Sequence, residues 1–282
     1  MKWEDGRESD NIEDRRGFAV GGRGASLGCG GLILVLVVSY FTGINPARLL
    51  NMVQDSSPAA APPPSSRPAS TGAPSDRLGK FASVVLASTE DVWKGIFEKN
   101  GRPYQEPKLV LFNGAARSGC GLASMQTGPF YCQLDRKVYL DLSFFDELSR
   151  RFGAPGEFAD AYVIAHEVGH HVQNSLGIFD GAGRDRGDNA VSVRVELQAD
   201  CLAGVWGYHA NRQQHLIEPG DFEQGLKAAA AIGDDRLQRM AQGTVAPESF
   251  THGSSTERQA WLRRGLTTGD PGRCDTFRER LE

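Results

Sequence analysis

Histidine is scarce in this chain, with six in 282 residues. Cysteine is scarcer still, with five, and no two of them form a CxxC pair. That absence argues against a thiolate-ligated structural metal, whose ligands come in such pairs. Excess charge is also missing. The formal net charge of −4 gives no reason to expect nucleic acid as a partner. One stretch, Ala25–Gly43, contains no charged residue at all. No small-x-small cleavage site follows its apolar run, which disfavours a removable signal peptide. Cys29 precedes the apolar run instead of following it, which argues against a lipoprotein acylation signal. A hydrophobic content of 40% in a chain this long suits one sizeable domain with extra segments.

The histidine that is present concentrates in Ala165-His166-Glu167-Val168-Gly169-His170-His171. Ala159 to Leu176 lacks proline and places Tyr162, Val163, Val168 and Val172 at roughly helical spacing, so the stretch is expected to be a helix. Residues i and i+4 of a helix share a face, so His166 and His170 can reach one metal ion together. Glu167 lies about 100° further round the axis. It is badly placed to be a third ligand but well placed to touch a water on the metal. Zinc lowers the pKa of such a water towards ~7, and a neighbouring carboxylate can take its proton as it attacks a carbonyl. His171 points away and is read as a packing or hydrogen-bonding residue. Gly169 in mid-helix costs about 1 kcal/mol, which suggests close approach of another element.

Val195 to Trp206 reads as a second helix, with Leu197, Cys201, Leu202, Val205 and Trp206 as its apolar stripe. Glu196 and Asp200 again stand four apart. Two carboxylates on one helix face repel by a few tenths of a kcal/mol, a conflict that a metal removes. Glu196 can complete a two-His-one-Glu ligand set, and Asp200 can accept the spare N–H of a ligand histidine. The plainer alternative is two exposed surface carboxylates.

HEVGHHVQ, RVELQADCLAG and Thr251-His252-Gly253-Ser254-Ser255-Thr256-Glu257-Arg258 together resemble the bacterial neutral zinc metallopeptidase family. That family is similar to the zincins with HExxH and ExxxD, including the CAAX-processing membrane peptidases. The resemblance implies Zn²⁺ on His166, His170 and Glu196, with Glu167 as general base. It implies an α+β, zincin-like fold, mainly helical with a small sheet. CAAX-type enzymes carry His-Pro and then an arginine where this chain has His252-Gly253 and Arg258. In peptidases of this type a further donor stabilises the oxyanion, and His252 and Arg258 are the candidates. The alternative is that Ser254 or Ser255 merely caps the last helix while Arg258 makes a structural ion pair.

Residues 1–24 are polar and rich in both charge signs and glycine, and are expected to be a disordered cytoplasmic tail. The nineteen uncharged residues 25–43 would span roughly 28 Å as a helix and are read as a single transmembrane anchor. Arg15, Arg16 and Arg23 before it, against Arg48 after it, would put the N-terminus in the cytoplasm. Residues 44–77 read as a Pro/Ser/Ala-rich linker, and 78–282 as the catalytic domain. Within it, helices are expected over Phe81–Asn100, Ser143–Phe152 (capped by Ser143), Asp221–Gln242 and Ser255–Leu266. Strands are expected at Lys108–Phe112 and Lys137–Leu142. The four cysteines other than Cys29 allow three pairings. The favoured one joins Cys120 to Cys132 and Cys201 to Cys274, with four free thiols as the alternative.

The sequence therefore reads as a zinc metallopeptidase of the bacterial inner membrane, its catalytic domain in the periplasm, acting on a peptide or protein substrate. Two rivals stand beside it: a non-catalytic zinc domain that binds a membrane or periplasmic partner, and a zinc hydrolase of non-peptide amides or esters. Oligomeric state is not legible.

Overall fold

A computed structural model describes residues 1–17, 70–71, 74–124, 127–179 and 189–278. The chain enters the fold at once. Trp3 is buried edge-on against Phe81, their ring centroids 5.4 Å apart. Strand β1 (Ile12–Asp14) follows and buries Ile12 completely. Strand β2 (Ser70–Thr71) pairs antiparallel with it. Helix α1 (Arg77–Lys99) then begins at Asp76, whose carboxylate accepts from the Gly79 N–H. It buries Phe81, Val84, Val85, Val92 and Trp93.

Strands β3 (Lys108–Phe112), β4 (Ala115–Ser118), β5 (Gly121–Ser124), β6 (Phe130–Cys132) and β7 (Lys137–Asp141) come next. Five strands form one mixed sheet in the order β2-β1-β3-β7-β6, with β1, β3 and β7 parallel, and β4–β5 form a separate hairpin. Buried positions run almost unbroken along β3 and β7, as expected of central strands covered on both faces. Helices α2 (Ser143–Arg150), α3 (Glu157–Ser175) and α4 (Asn189–His209) follow. Helices α5 (Asp221–Ala231), α6 (Asp234–Gln242) and α7 (Ser255–Thr268) complete the succession.

Close approach of helix backbones sets the geometry. A Cβ on Gly169 of α3 would stand 2.9 Å from the Ala199 carbonyl of α4. One on Gly265 of α7 would meet the Cys201 carbonyl at 2.0 Å. Only glycine lets α3, α4 and α7 pack at these distances. The expected disulfides are both present, Cys120–Cys132 and Cys201–Cys274. The second holds the segment after α7 to α4.

Several expectations need correction. The described part of the N-terminal tail, residues 1–17, belongs to the same compact unit as residues 69–282. Arg7 and Ser9 bind the buried Glu90 carboxylate of α1, at 3.0 and 2.6 Å, and Ile12 pairs beside Leu109. The expected anchor, residues 25–43, lies outside the described residues, as does most of the expected linker. Among the described residues no helix is long and apolar enough to cross a membrane. Moreover, β1 precedes residues 25–43, β3 follows them, and the two share a sheet. One crossing would put these strands on opposite sides of a bilayer. The single-pass, cytoplasmic-tail, periplasmic-domain arrangement is therefore overturned. Two smaller corrections concern helices. Asp141, not Ser143, serves the start of α2, accepting from the Ser143 N–H at 3.0 Å. The expected long helix over 221–242 is two helices, broken at Ile232–Gly233 where Gly233 lies against the Ser255 backbone.

Candidate metal centre and catalytic cleft

Helices α3 and α4 bring His166, His170 and Glu196 together, with one ligand atom of each within 4.8 Å of the others. Glu196 Oε2 is 3.2 Å from His166 Nε2, and Oε1 is 3.4 Å from His170 Nε2. A tetrahedral zinc with bonds near 2.05 Å spaces its ligand atoms roughly 3.3 Å apart. The donor chemistry fits a zinc ion, and each imidazole Nε2 has one Glu196 oxygen at about that spacing.

The remaining ring nitrogens are engaged from behind. His166 Nδ1 donates to Asp200 Oδ1 at 2.9 Å, inside the protein. Asp200 is fully buried, and it also receives the Tyr162 hydroxyl and the Arg258 guanidinium. His170 Nδ1 faces Gln173 Oε1 at 2.8 Å. Both imidazoles thus present Nε2 to Glu196. His171 points elsewhere, donating from Nε2 to the Gln105 carbonyl at 2.6 Å and facing the Tyr131 hydroxyl at 3.0 Å. Burial pushes its pKa down to about 4, so this ring is neutral.

Electrostatics reflect the crowding. Burial alone would raise the Glu196 carboxyl, but the two imidazoles outweigh it and hold Glu196 well below the usual carboxylate range. Burial would likewise lower His166, yet Asp200 and Glu196 carry it up to about 10 in the metal-free chain. Glu167, 7% exposed, is shifted upward by burial, against the pull of both imidazoles. A raised carboxylate at the mouth of a metal group has the basicity suited to proton transfer.

The group opens into a cleft of about 1100 Å³. His166, Glu167, His170 and Glu196 line it, beside Phe144, Phe152, Val163 and Leu237. Strand β6, at the edge of the sheet, contributes Phe130 and Tyr131. His252 lines it too, with its side chain half exposed. Its Nδ1 is 3.1 Å from Asp234 Oδ1, while Asp234 Oδ2 accepts from the backbone N–H groups of Thr251, His252 and Gly253. The Asp234 bond is the main reason His252 is shifted upward. Arg258 also borders the cleft but is only 2% exposed, and its Nε and Nη2 are spent on Asp200. Ser254 caps α7 in a full capping box with Glu257. Gln173, Gln198, Tyr162 and Asp234 are site residues that the motifs alone do not single out.

The chain matches the family described as "Putative neutral zinc metallopeptidase" over residues 1–277. It belongs to that family. "Uncharacterized protein YpfJ" of Escherichia coli K12 is 49% identical over 296 aligned positions, covering 98% of this chain and 99% of that protein. "Uncharacterized protein Rv2575" of Mycobacterium tuberculosis H37Rv is 44% identical over 219 positions, covering 73% of each. No solved structure matches the chain. The family match reaches back to residue 1, in keeping with β1 and Trp3 being part of the domain. It also takes in all three segments that carried the resemblance, the HExxH helix, the ExxxD helix and the Thr251–Arg258 turn.

Proposed function

We propose that this family member is a zinc metallopeptidase that cleaves a peptide or protein substrate held in the cleft. The observation that carries this reading is the spacing of His166, His170 and Glu196, with the Glu167 carboxylate on the cleft side of the same helix. When bound, zinc would supply Lewis acidity to a water and a carbonyl. Glu167 takes the proton from the attacking water and returns it to the leaving amine. His252, oriented by Asp234, directs Nε2 away from that carboxylate and is the donor suited to the developing oxyanion. Arg258 acts on the centre through Asp200 and His166. An extended substrate can add to the β6 edge by main-chain pairing, with the apolar cleft wall receiving its side chains.

The non-catalytic alternative leaves the cleft and the buried Glu167 without a role, since a purely structural zinc site is closed by four protein ligands. The deciding experiment combines metal analysis with mass-spectrometric profiling of a peptide library. Glu167→Gln should retain zinc and lose at least a hundredfold in cleavage rate, while His170→Ala should lose both. Equal cleavage by Glu167→Gln and the unaltered protein would refute the mechanism. Zinc binding without turnover of any peptide by the unaltered protein would favour the binding domain, or a hydrolase of other amides or esters.

A further inference from the structure

His166 is oriented by an anion, but His170 is oriented by a neutral amide, and the amide's own orientation is settled by its surroundings. Gln173 is fully buried. One side of its carboxamide lies 2.7 Å from the Val195 carbonyl and 2.9 Å from the Gln198 side chain. The Gln198 carboxamide in turn lies 2.9 Å from the Cys274 carbonyl. Backbone carbonyls only accept, so each must be met by an amide nitrogen. Gln198 therefore gives Nε2 to Cys274 and turns Oε1 towards Gln173. Both hydrogens of Gln173 Nε2 are then used, on Val195 and on Gln198. Gln173 is left with Oε1 towards His170, and the facing Nδ1 must carry the hydrogen. In the neutral ring, the form that binds a metal, Nε2 is thereby the nitrogen with the free lone pair.

We propose that Gln173 and Gln198 are positioning residues that set the tautomer and ring angle of His170 through a one-way chain of donors ending at the Cys274 carbonyl. This rests on the metal-centre reading above. The far end of the chain is itself fixed. Cys274 is bonded to Cys201 on α4, and Thr276, also buried, donates from its hydroxyl to the Arg194 carbonyl at 2.7 Å. The amide chain thus crosses from the first ligand helix to the second, and on to the segment after α7. A neutral partner has a chemical consequence: it fixes His170 without adding a further negative charge beside Glu196 and Asp200.

The test is the affinity of the full-length protein for Zn²⁺, measured by competition with a chromophoric chelator, together with the visible spectrum of the Co²⁺-substituted protein. Gln173→Ala should weaken zinc binding by about 10–100-fold and alter the Co²⁺ spectrum. Gln198→Met, one link further out, should weaken it by a smaller factor. The double variant should cost no more than Gln173→Ala alone, because both act through one chain. A merely structural role would lower the unfolding midpoint of the metal-free protein and leave affinity and spectrum unmoved. That result, or additive losses in the double variant, would overturn the proposal. Should Gln173→Ala not fold, Gln173→Met fills the same space without either polar group and replaces it. Failure of the unaltered protein to bind zinc at all would refute the metal-centre reading itself, a separate outcome.

Discussion

Arg258 grips Asp200 with two nitrogens, Nε at 2.8 Å from Oδ2 and Nη2 at 3.0 Å from Oδ1. Both side chains are buried, and the carboxylate also receives His166. Removing one member of a buried pair strands the other's charge and typically costs about 3–5 kcal/mol. Arg258→Met should therefore lower stability in urea unfolding of the metal-free protein by several kcal/mol and weaken metal binding. Arg258→Lys should recover only part of the loss, because an ammonium does not span both oxygens as a guanidinium does. Unchanged stability in Arg258→Met would contradict this bracing role.

The carboxylates around His166 favour a protonated ring in the metal-free chain, and a metal would displace that proton. His166 is carried up to about 10, against burial, by Asp200 and Glu196. Its contribution to the stability of the metal-free fold is complete below the unfolded value near 6.5 and fades as pH rises through about 10. Zinc binding at pH 7 should release protons, and affinity should rise with pH over that window. Titration in weakly buffered solution measures the release directly. Asp200→Asn should reduce it, and no release in the unaltered protein would count against a protonated His166.

Asp160, in the first turn of α3, is pushed up to about 7 by burial, then by the charges of Glu157 and Asp146. The folded state therefore holds this proton more tightly than the unfolded chain does. Its stabilising share is present below about 3.8 and is lost as pH rises through about 7. A tenfold change in proton affinity corresponds to about 1.4 kcal/mol. The stability difference between Asp160→Asn and the unaltered protein should thus grow in the variant's favour from pH 4.5 to 7.5. A difference that stays flat would mean that Asp160 titrates as an ordinary carboxylate.

Residues 1–17 should prove indispensable to the domain. They supply Trp3, the partners of Glu90 and an interior strand of the sheet. A chain starting at residue 74 should lose cooperative unfolding and aggregate through the exposed edge of β3. A folded, zinc-binding product of that truncation would show β1 to be dispensable.

The two ligand helices were legible because each motif is local: i and i+4 spacing fixes a face whatever else the fold does. Asp200 was legible for the same reason. Gln173 and Gln198 sit inside the same two motifs, yet an amide has no spacing rule that marks it as a partner of histidine. Asp234 was hidden by the periodicity that ran 221–242 together as one helix, since the break depends on Gly233 meeting Ser255 from a distant part of the chain. Strand β1 was the largest miss. Three residues are too few for an alternating pattern, and the partner Leu109 is almost a hundred positions away. Trp3 and Ile12, lone apolar residues in a polar stretch, were the faint signal of a buried segment.

Strands β1 and β2 are partners, with Asp14 opposite Ser70. The two strands, far apart in sequence, therefore end at neighbouring points of one antiparallel pair. For the fold that carries the candidate metal centre, Asp14 and Ser70 are already clasped together. A short turn joining them would close the same ladder, so the pairing that supports the candidate metal centre does not depend on how far apart in the chain the two strands lie.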